Sequence, residues 1–526
     1  MEDRARKKGG PRGLDRFSIP TTAVVLILVA SVFLHLIGLR LPWRGPIDSI
    51  GSWNSHNADF LIRHGPAVTK LAFVESAGAV DVGEIRFRHT HPSFIIVWLA
   101  LFRSLFGTGE GASRIGGVAL SIVLILFTYL TARLLTDRPR SLIVLLAASL
   151  LPMEAYWGRL PSETLAAATC MTGAVFFYLS YRLKGARRWA ALFFIFHFLG
   201  CSSDWIAYLL PPCLLFFELL TRRRSLVVPV TAVALNFVYF GLFLLQGYSA
   251  EGSLFFREFF AVGASWRLAE SIGIAPGLLK VLVRIGLYFT VPLCLCAAVW
   301  LYRAVGMIRS GATDPDTRYR FLVPSIFLFI FLFWTAAFPR HVIAHEVLLH
   351  PLSPFFPLAL GLVLPDRPVR RDRAIIVVLF LILFIAQLAA VLSLRFSQQK
   401  GYPVDYPLAV AAGSATAFPD HVMTHVVLAG RYYQFYCDRD LLMGVNSVDE
   451  FVSTAATGRY TTYLALDLDS FLNDHPEIER DAARFTELHD LAVDRELISF
   501  LRERYPSRKV SYFWKFDLTG KDVTDR

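Results

Sequence analysis

Two acidic residues in the first hydrophilic stretch of the chain could act as general bases. Asp48 lies in the sequence Pro-Ile-Asp-Ser (46–49), directly after the first apolar run, where its carboxylate could deprotonate an acceptor hydroxyl or amine. A solvated loop acid is an equally good interpretation of this residue. Asp59 is the alternative base, although its setting, Asn-Ala-Asp-Phe-Leu-Ile-Arg (57–63), would also suit the surface of a helix.

Three cations further along the chain could bind a phosphate group. Lys280 precedes Arg284 by four residues, so the two side chains share one face of a helix. Arg340 follows a later apolar run. Such cations could pair with the oxygens of a lipid phosphate, and extension of the side chain towards a membrane interface is the competing explanation.

Motifs for metal, nucleotide and hydrolase chemistry are missing from the sequence. The run His-Val-Ile-Ala-His-Glu (341–346) reverses part of the HExxH zinc pattern but is not that motif. The sequence has no P-loop, no GxGxxG after a strand and no GxSxG. Five of its six cysteines lie in or beside apolar stretches, and only Cys437 lies in a hydrophilic region, so neither a disulfide framework nor a CxxC metal site is expected. We therefore expect neither a metal nor another cofactor.

The composition places these residues in a membrane protein. The chain has 526 residues, of which 55% are hydrophobic and 18% charged, with a mean hydropathy of +0.49. The hydrophobic fraction and the mean hydropathy are higher, and the charged fraction is lower, than in soluble domains. The first apolar run, Phe17 to Leu41, is too long for a signal peptide and can span a hydrocarbon core of roughly 30 Å.

Loop charge predicts the topology. Ten further apolar segments lie near 114–135, 140–157, 164–183, 188–203, 204–220, 225–246, 279–303, 319–337, 350–365 and 373–395. If the stretch 92–107 does not span, alternate loops carry 24 of the 53 Lys and Arg on one side. The positive-inside rule then places the N-terminus in the cytoplasm, and 92–107 becomes a helix on the outer surface. The net charge of +11 belongs to these loops, so we expect no nucleic-acid partner.

The predicted fold is a polytopic all-α membrane protein with about eleven spanning helices and juxtamembrane helices in its first outer loop. We expect a transmembrane domain over 1–395, with that loop at 42–113, and a small extracytoplasmic α/β domain over 396–526. In the latter, strand-like runs lie at Tyr432–Tyr436, Tyr460–Leu466 and Val510–Phe516, and a helical, charged stretch at Glu477–Arg504. The protein would reside in the plasma (inner) membrane.

Several short motifs occur in an order that resembles a known family. They are His-Thr-His-Pro-Ser-Phe (89–94), Trp-Leu-Ala-Leu-Phe (98–102), Leu-Phe-Gly (105–107), Ser-Arg-Ile (113–115), Pro-Ser-Glu (161–163), Ser-Asp-Trp (203–205) and His-Glu (345–346). Over roughly residues 20–365 the chain resembles the GT-C glycosyltransferases related to dolichyl-phosphate-mannose–protein mannosyltransferases and the lipid A aminoarabinose transferase. The family's usual Asp-Glu pair is matched here by Gly-Ser-Trp (51–53), and Ser93 replaces the second proline of its HPP motif.

This resemblance implies a membrane enzyme that transfers a monosaccharide from a polyprenyl-phosphate carrier to an acceptor on the outer face, with inversion at the anomeric carbon. A first-loop carboxylate would be the base, and Asp48 is preferred to Asp59. The substrate-binding residues would be His91, Glu163, Asp204, Lys280, Arg284, Arg340, His345 and Glu346. The acceptor could be a glycolipid, a polysaccharide or a protein.

Two other classes of function fit parts of the sequence. A transporter or flippase of lipid-linked sugars would also be polytopic, but transporters commonly have inverted repeats and polar sites at mid-membrane. In this chain the charges gather at one face instead. An assembly protein with a partner-binding tail would leave the acids and histidines of the first loop without a role.

Overall fold

The structure is a computed structural model of the full chain. It describes residues 21–40, 43, 48–77, 85–88, 91–221, 225–257, 259–260, 274–310, 314–365, 370–398, 405–416, 421–426, 435–437, 440–475 and 493–519. Helices make up most of the chain up to residue 415, and strands with short helices follow. The expected all-helical membrane part with a small sheet region near the C-terminus is therefore present.

The first half of the helical part includes the first hydrophilic loop, which contributes α2 and α3. Its helices are α1 (Thr21–Leu36), α2 (Asp48–Thr69), α3 (Phe94–Phe106), α4 (Glu110–Leu135), α5 (Arg138–Ser149), α6 (Pro152–Trp157), α7 (Glu163–Lys184), α8 (Arg187–Cys201), α9 (Leu210–Thr221) and α10 (Val227–Glu251). Two short strands, β1 (Phe73–Val74) and β2 (Phe87–Arg88), pair antiparallel between α2 and α3. A 3₁₀ helix, Trp205–Leu209, precedes α9.

The second half continues with shorter and broken helices. They are α11 (Ile274–Phe289), α12 (Val291–Ser310), α13 (Pro315–Leu322), α14 (Ser325–Ala337), α15 (Pro339–Ala344), a 3₁₀ helix (Glu346–Leu352), α16 (Phe355–Val363), α17 (Arg370–Gln398) and α18 (Asp405–Ala415). The apolar segment expected at 279–303 is thus two helices, which meet at Thr290 with a left-handed φ of 63°.

Length and composition identify the helices that can cross a membrane. Among the described residues, α4, α7, α10, α12 and the unit Glu346–Val363 qualify, and α13 with α14 makes a sixth span if this pair, bent by 47°, counts as one. The chain is therefore a multi-pass membrane protein. The predicted number of about eleven spans stays a prediction, because several of the expected apolar segments are interrupted helices. Pro152, for example, begins α6 and ends the run expected over 140–157.

Helix α7 lies at the centre of the helical part. In the most apolar stretch of α7, 89% of the residues are buried, whereas in the corresponding stretches of α10 and α12 22% are buried. Small residues at 166–168, 173 and 174 line α7, and small side chains let membrane helices approach closely. Because α7 begins at Glu163, this buried helix fixes the position of the loop that precedes it.

Helix α3 has 13 residues, so it is about 20 Å long at 1.5 Å per residue. That length is short of the roughly 30 Å of a hydrocarbon core. The helix packs Ile95, Ile96 and Leu99 against α2 and α4 and leaves Leu101 and Leu105 exposed. This geometry suits a helix on the membrane surface, as expected for 92–107, and its membrane position stays a prediction.

The described part of the tail forms a five-stranded mixed sheet with strand order β4-β3-β5-β7-β6. The strands are β3 (His421–Thr424), β4 (Asp440–Met443), β5 (Thr462–Leu466), β6 (Ser507–Val510) and β7 (Phe513–Asp517). The helices α19 (Val448–Ala455), α20 (Leu468–Asp474) and α21 (Arg495–Arg504) complete it. β3 pairs parallel with β4 and β5, and β7 pairs antiparallel with β5 and β6.

The outcome for the expected tail elements is mixed. The run Tyr460–Leu466 contains β5, and Val510–Phe516 overlaps β6 and β7. The strand expected at Tyr432–Tyr436 is wrong where it can be checked, since 435 and 436 are helical, while 432–434 lie outside the described residues. Of the expected helical stretch Glu477–Arg504, α21 is present and 477–492 lie outside the described residues.

A buried carboxylate joins three helices on the side predicted to be cytoplasmic. Glu218 of α9 is fully buried and accepts hydrogen bonds from the Tyr178 hydroxyl at 2.5 Å and the Tyr319 hydroxyl at 3.3 Å. Arg182 pairs with it at 3.2 Å. The carboxylate therefore ties α9 to α7 and α13.

Replacing Glu218 with alanine is expected to destabilise the protein by about 3–5 kcal/mol, because Arg182 and two tyrosine hydroxyls would lose their buried acceptor. Thermal unfolding in detergent should show a clearly lower midpoint. Glu503→Ala, which removes an exposed carboxylate from α21, is the control and should leave the midpoint unchanged. Equal midpoints for both variants would contradict this account.

Candidate functional site

The first turns of α2 are polar yet buried. Ser52, Asn54 and Ser55 are fully buried, and His56 and Asn57 are 1–2% exposed. The Asn54 side chain donates to the Pro161 carbonyl at 2.8 Å, and His56 Nε2 lies 2.9 Å from the Ser76 carbonyl. Buried polar groups must be hydrogen-bonded, so the first contact holds α2 against the loop before α7 and the second holds it against the chain after β1.

Asp48, the expected base, begins α2 and is 5% exposed. Arg114 Nη2 lies 3.9 Å from Asp48 Oδ1. Arg159, the second buried guanidinium, interacts electrostatically with the same carboxylate. A buried carboxylate needs such cations, because an isolated charge in a low-dielectric surrounding is strongly unfavourable.

The rigid side of this cluster is Arg114. Its guanidinium lies 4.0 Å from the centre of the Trp43 ring and donates to the Leu39 carbonyl at 3.0 Å. The Arg114 side chain is fully buried. Cation–π and hydrogen-bond contacts together fix the guanidinium, so that Asp48 meets a cation with a set orientation.

Asp59, the alternative base, has a different environment. Arg103 Nε and Nη2 donate to its two carboxylate oxygens at 2.7 and 2.5 Å. The same guanidinium, which is buried, also donates to the Ser113 hydroxyl at 2.6 Å and to the Gly109 carbonyl at 3.2 Å. This fork-to-fork contact ties α2 to the connection between α3 and α4.

A second group of expected site residues gathers where α7 begins. Asp204, 1% exposed, accepts a hydrogen bond from the Thr164 hydroxyl at 2.7 Å and lies 3.9 Å from His91 Nδ1. Glu163 interacts electrostatically with Asp204 and with the side-chain amide of Asn54 in α2. The structure therefore brings His91, Glu163 and Asp204 together.

A third group lies at α11 and the chain after α15. Arg284 is 9% exposed and pairs with Glu346 at 2.8 Å. Its Nη1 donates to the Ile343 carbonyl at 2.5 Å, and Tyr288 donates its hydroxyl to Glu346. The guanidinium is thus held at one position, while its partner Glu346 is 27% exposed at the side chain.

The remaining predicted residues lie around this third group. Lys280 is exposed on α11, one turn before Arg284. Arg340 is half-buried on α15. The ring of His345 lies 4.7 Å from that of His341, and burial together with the Arg284 cation lowers the pKa of His345. A neutral imidazole at pH 7 can donate one hydrogen bond and accept another.

Aromatic side chains connect the Asp48 group with the Arg284 group. Arg159 interacts with Tyr156, whose ring centre lies 6.0 Å from that of Tyr288. Tyr288 in turn contacts Glu346. The loop 158–162 thus carries Arg159 towards Asp48 at one end and leads into Glu163 at the other.

Gly117 of α4 provides the space for this loop. A Cβ atom at Gly117 would lie 2.8 Å from the carbonyl carbon and oxygen of Arg159. Real Cβ atoms do not approach backbone so closely, so any larger residue must push the loop away.

Gly117→Ala is therefore expected to destabilise the protein by about 1–3 kcal/mol and to displace Arg159. Thermal unfolding in detergent measures this effect. Gly241→Ala on α10 is the matched control, because a Cβ there meets open space and alanine favours a helix. A lower midpoint for the control than for Gly117→Ala would contradict the packing argument.

Sequence reasoning did not assign four residues that the structure brings into the site. Arg114 pairs with Asp48, Arg159 interacts electrostatically with the same carboxylate, Asn54 interacts with Glu163, and Tyr288 donates a hydrogen bond to Glu346. The available signal for Arg114 was a charged residue beside a long apolar segment, since ionisable residues at membrane depth are costly. Within the described ranges, no group of three or more His, Cys, Asp and Glu could hold a metal ion.

Comparisons with known proteins agree with this architecture. Residues 90–245 match the family model described as dolichyl-phosphate-mannose-protein mannosyltransferase. The whole chain is similar to the crystal structure of ArnT from Cupriavidus metallidurans bound to undecaprenyl phosphate, with a TM-score of 0.62, 16% identity and coverage of 95% of this chain and 99% of that one. The chain has the GT-C fold. The resemblance inferred from the motifs is confirmed.

Further GT-C structures extend the likeness. The apo oligosaccharyltransferase of Archaeoglobus fulgidus matches with a TM-score of 0.58 and 12% identity over 94% of this chain and 73% of that one. The same organism's AglB, in complex with an inhibitory peptide and a dolichol-phosphate, matches with a TM-score of 0.55 and 11% identity over 96% and 75%. No curated protein sequence matches this chain. At these identities the likeness shows the GT-C fold.

Proposed function

We propose that this GT-C protein is a membrane glycosyltransferase that moves a monosaccharide from a polyprenyl-phosphate carrier to an acceptor. The observation that carries the proposal is the buried Asp48 carboxylate at the start of α2. It is connected through Arg159, Tyr156, Tyr288 and Glu346 to the fixed Arg284 guanidinium. A base and a phosphate-binding cation are the two groups that this reaction requires. The solved neighbours whose titles name undecaprenyl phosphate and dolichol-phosphate support a lipid donor.

Asp48 is the proposed general base. It would accept the proton of the acceptor nucleophile as that atom attacks the anomeric carbon. Asp59 is less suited, because Arg103 already donates to both of its oxygens. Two charge-assisted hydrogen bonds from a guanidinium stabilise the ionised carboxylate, so proton uptake by Asp59 would lose part of that stabilisation.

Arg284 is the proposed contact for the donor phosphate, with Lys280 and Arg340 beside it. The lipid phosphate is the leaving group and gains charge as the glycosidic bond breaks, so a fixed cation lowers the barrier. Glu346, Tyr288 and the Ile343 carbonyl set the orientation of Arg284. The neutral imidazole of His345 could add a hydrogen bond to a phosphate oxygen.

Glu163, Asp204 and His91 are the proposed contacts for the sugar. Carboxylates and an imidazole can accept and donate hydrogen bonds with sugar hydroxyls. Glu163 interacts with Asn54, which lies between one and two helical turns after Asp48 along α2. The proposed sugar contacts are therefore further along α2 than the proposed base. We infer that the reaction takes place at the extracytoplasmic face, as the loop charges predict, with a glycolipid, a polysaccharide or a protein as acceptor.

Asp48→Asn is expected to lower kcat by about 10²–10⁴-fold, because the amide cannot accept the acceptor proton. The measurement is transfer of labelled sugar from a set of polyprenyl-phosphate monosaccharides into membrane fractions. Asp469→Asn, at an exposed position of α20, is the control and should keep wild-type activity.

Each alternative outcome has a distinct meaning. Full transfer by Asp48→Asn would reject Asp48 as the base and make Asp59→Asn the next variant to assay. If the folded wild-type protein transfers sugar from no donor, the proposed function fails and transport of lipid-linked sugars becomes the better hypothesis.

Arg284→Ala is expected to lower kcat/KM for the donor by about 10–100-fold, the effect of losing a charged hydrogen bond of about 1.5–3 kcal/mol. Arg284→Lys should recover part of this loss, because it keeps the charge without the planar fork. Arg320→Ala, which removes an exposed arginine, is the control. Unchanged donor kinetics in Arg284→Ala would place the phosphate elsewhere.

A further inference from the structure

A short segment of the tail reaches the first loop. The hydroxyl of Tyr436 accepts a hydrogen bond from the backbone N–H of Trp43 at 2.7 Å. The same hydroxyl donates to Glu110 Oε1 at 2.8 Å. One tail side chain therefore joins Trp43, in the segment that precedes α2, to the first residue of α4, although 393 and 326 positions separate Tyr436 from these two residues along the chain.

The two residues that Tyr436 joins belong to the surroundings of Asp48. Trp43 is fully buried and carries the Arg114 guanidinium over its ring at 4.0 Å. Its ring also packs on Gly51 of α2, where a Cβ atom would lie 2.6 Å from the indole. Arg114 then pairs with Asp48. A continuous series of buried contacts thus runs from the tail to the proposed base.

Phe435, the residue before Tyr436, packs against the second ion pair of the first loop, which Arg103 forms with Asp59. The Arg103 guanidinium lies 5.4 Å from the centre of the Phe435 ring, and Arg103 holds Asp59. On the opposite side, a Cβ atom at Gly413 of α18 would lie 2.8 Å from the Tyr436 carbonyl oxygen. The segment is therefore seated closely between α18 and the first loop, with no room for a larger residue at Gly413.

We propose that Tyr436 is a positioning residue for the transfer reaction: through Trp43 and Arg114 it holds Asp48 in place, so that full activity requires the docked tail. This inference rests on the proposed function of Asp48. The Tyr436 hydroxyl satisfies one donor and one acceptor at once. Without this hydroxyl, the backbone N–H of Trp43 and the Glu110 carboxylate each lose a hydrogen-bond partner. The Trp43 ring, which contacts Arg114, is then held less firmly.

The first test needs no substrate. Hydrogen–deuterium exchange in detergent, followed by mass spectrometry, compares the wild type with Tyr436→Phe and with the control Tyr302→Phe, whose side chain is 82% exposed on α12. Tyr436→Phe should raise exchange at least several-fold in peptides that cover 48–60, and the control should not. Unchanged exchange there would overturn the proposal, whatever the protein's activity.

The second test uses the transfer reaction. Tyr436→Phe should lower kcat by about tenfold with little change in KM for the donor, because the contacts of Tyr436 lead to Asp48 and not to the proposed phosphate contact Arg284.

The outcomes separate the two proposals. A purely structural role would lower the amount of folded protein and leave kcat per folded enzyme unchanged, which would overturn the positioning role. A wild-type protein without transfer activity would reject the proposed function alone, and the exchange measurement would still decide whether the tail restrains the Asp48 segment.

Discussion

The structure depends on the cost of burying charge. Asp48, Arg114 and Arg159 are all less than 6% exposed, and any one of them would be strongly unfavourable without the others. Each residue belongs to a different segment, namely the start of α2, the start of α4 and the loop before α7. The three segments must therefore come together for any of the charges to be tolerated. This requirement turns a long hydrophilic loop into an ordered unit.

Packing then sets how closely these segments approach. Gly51 lies against Trp43, and Gly117 lies against the backbone at Arg159, in both cases without space for a Cβ atom. The close fit carries Arg159 to Asp48 and places Glu163 beside Asn54. Among the described helices that could span a membrane, α7 is the most enclosed, so the loop that precedes it has little freedom to move. The site thus takes its shape from backbone contacts as much as from its charged side chains.

Much of the architecture could be predicted from the sequence because the membrane imposes simple rules. Long apolar runs gave the positions of α1, α4, α7, α8 and α10. Breaks within runs were harder, since hydropathy does not register a change of helix direction. The helices that meet at Thr290, and the bend between α13 and α14, illustrate this limit.

The site was predictable in its parts but not in its arrangement. Residue type and loop position indicated Asp48, Arg284, Glu163 and Asp204, each as a single ionisable residue near the outer face. Their partners could not be derived, because the pairs that matter lie far apart in sequence. Arg114 reaches Asp48 over 66 positions, and Tyr436 reaches Trp43 over 393. Only the folded chain shows that Asp59 is already engaged by Arg103.

The central claim is that Asp48 and Arg284 act on opposite ends of one displacement, with the base at the incoming acceptor and the cation at the departing lipid phosphate. The stereochemistry of the product tests this most directly. NMR of the first product formed by the wild-type protein, from a donor of known anomeric configuration, reports whether the acceptor attacked from the side opposite to the phosphate. The account predicts an inverted anomeric centre. A retained configuration would require a second displacement on a covalent or rebound intermediate, and it would contradict the role assigned to Asp48.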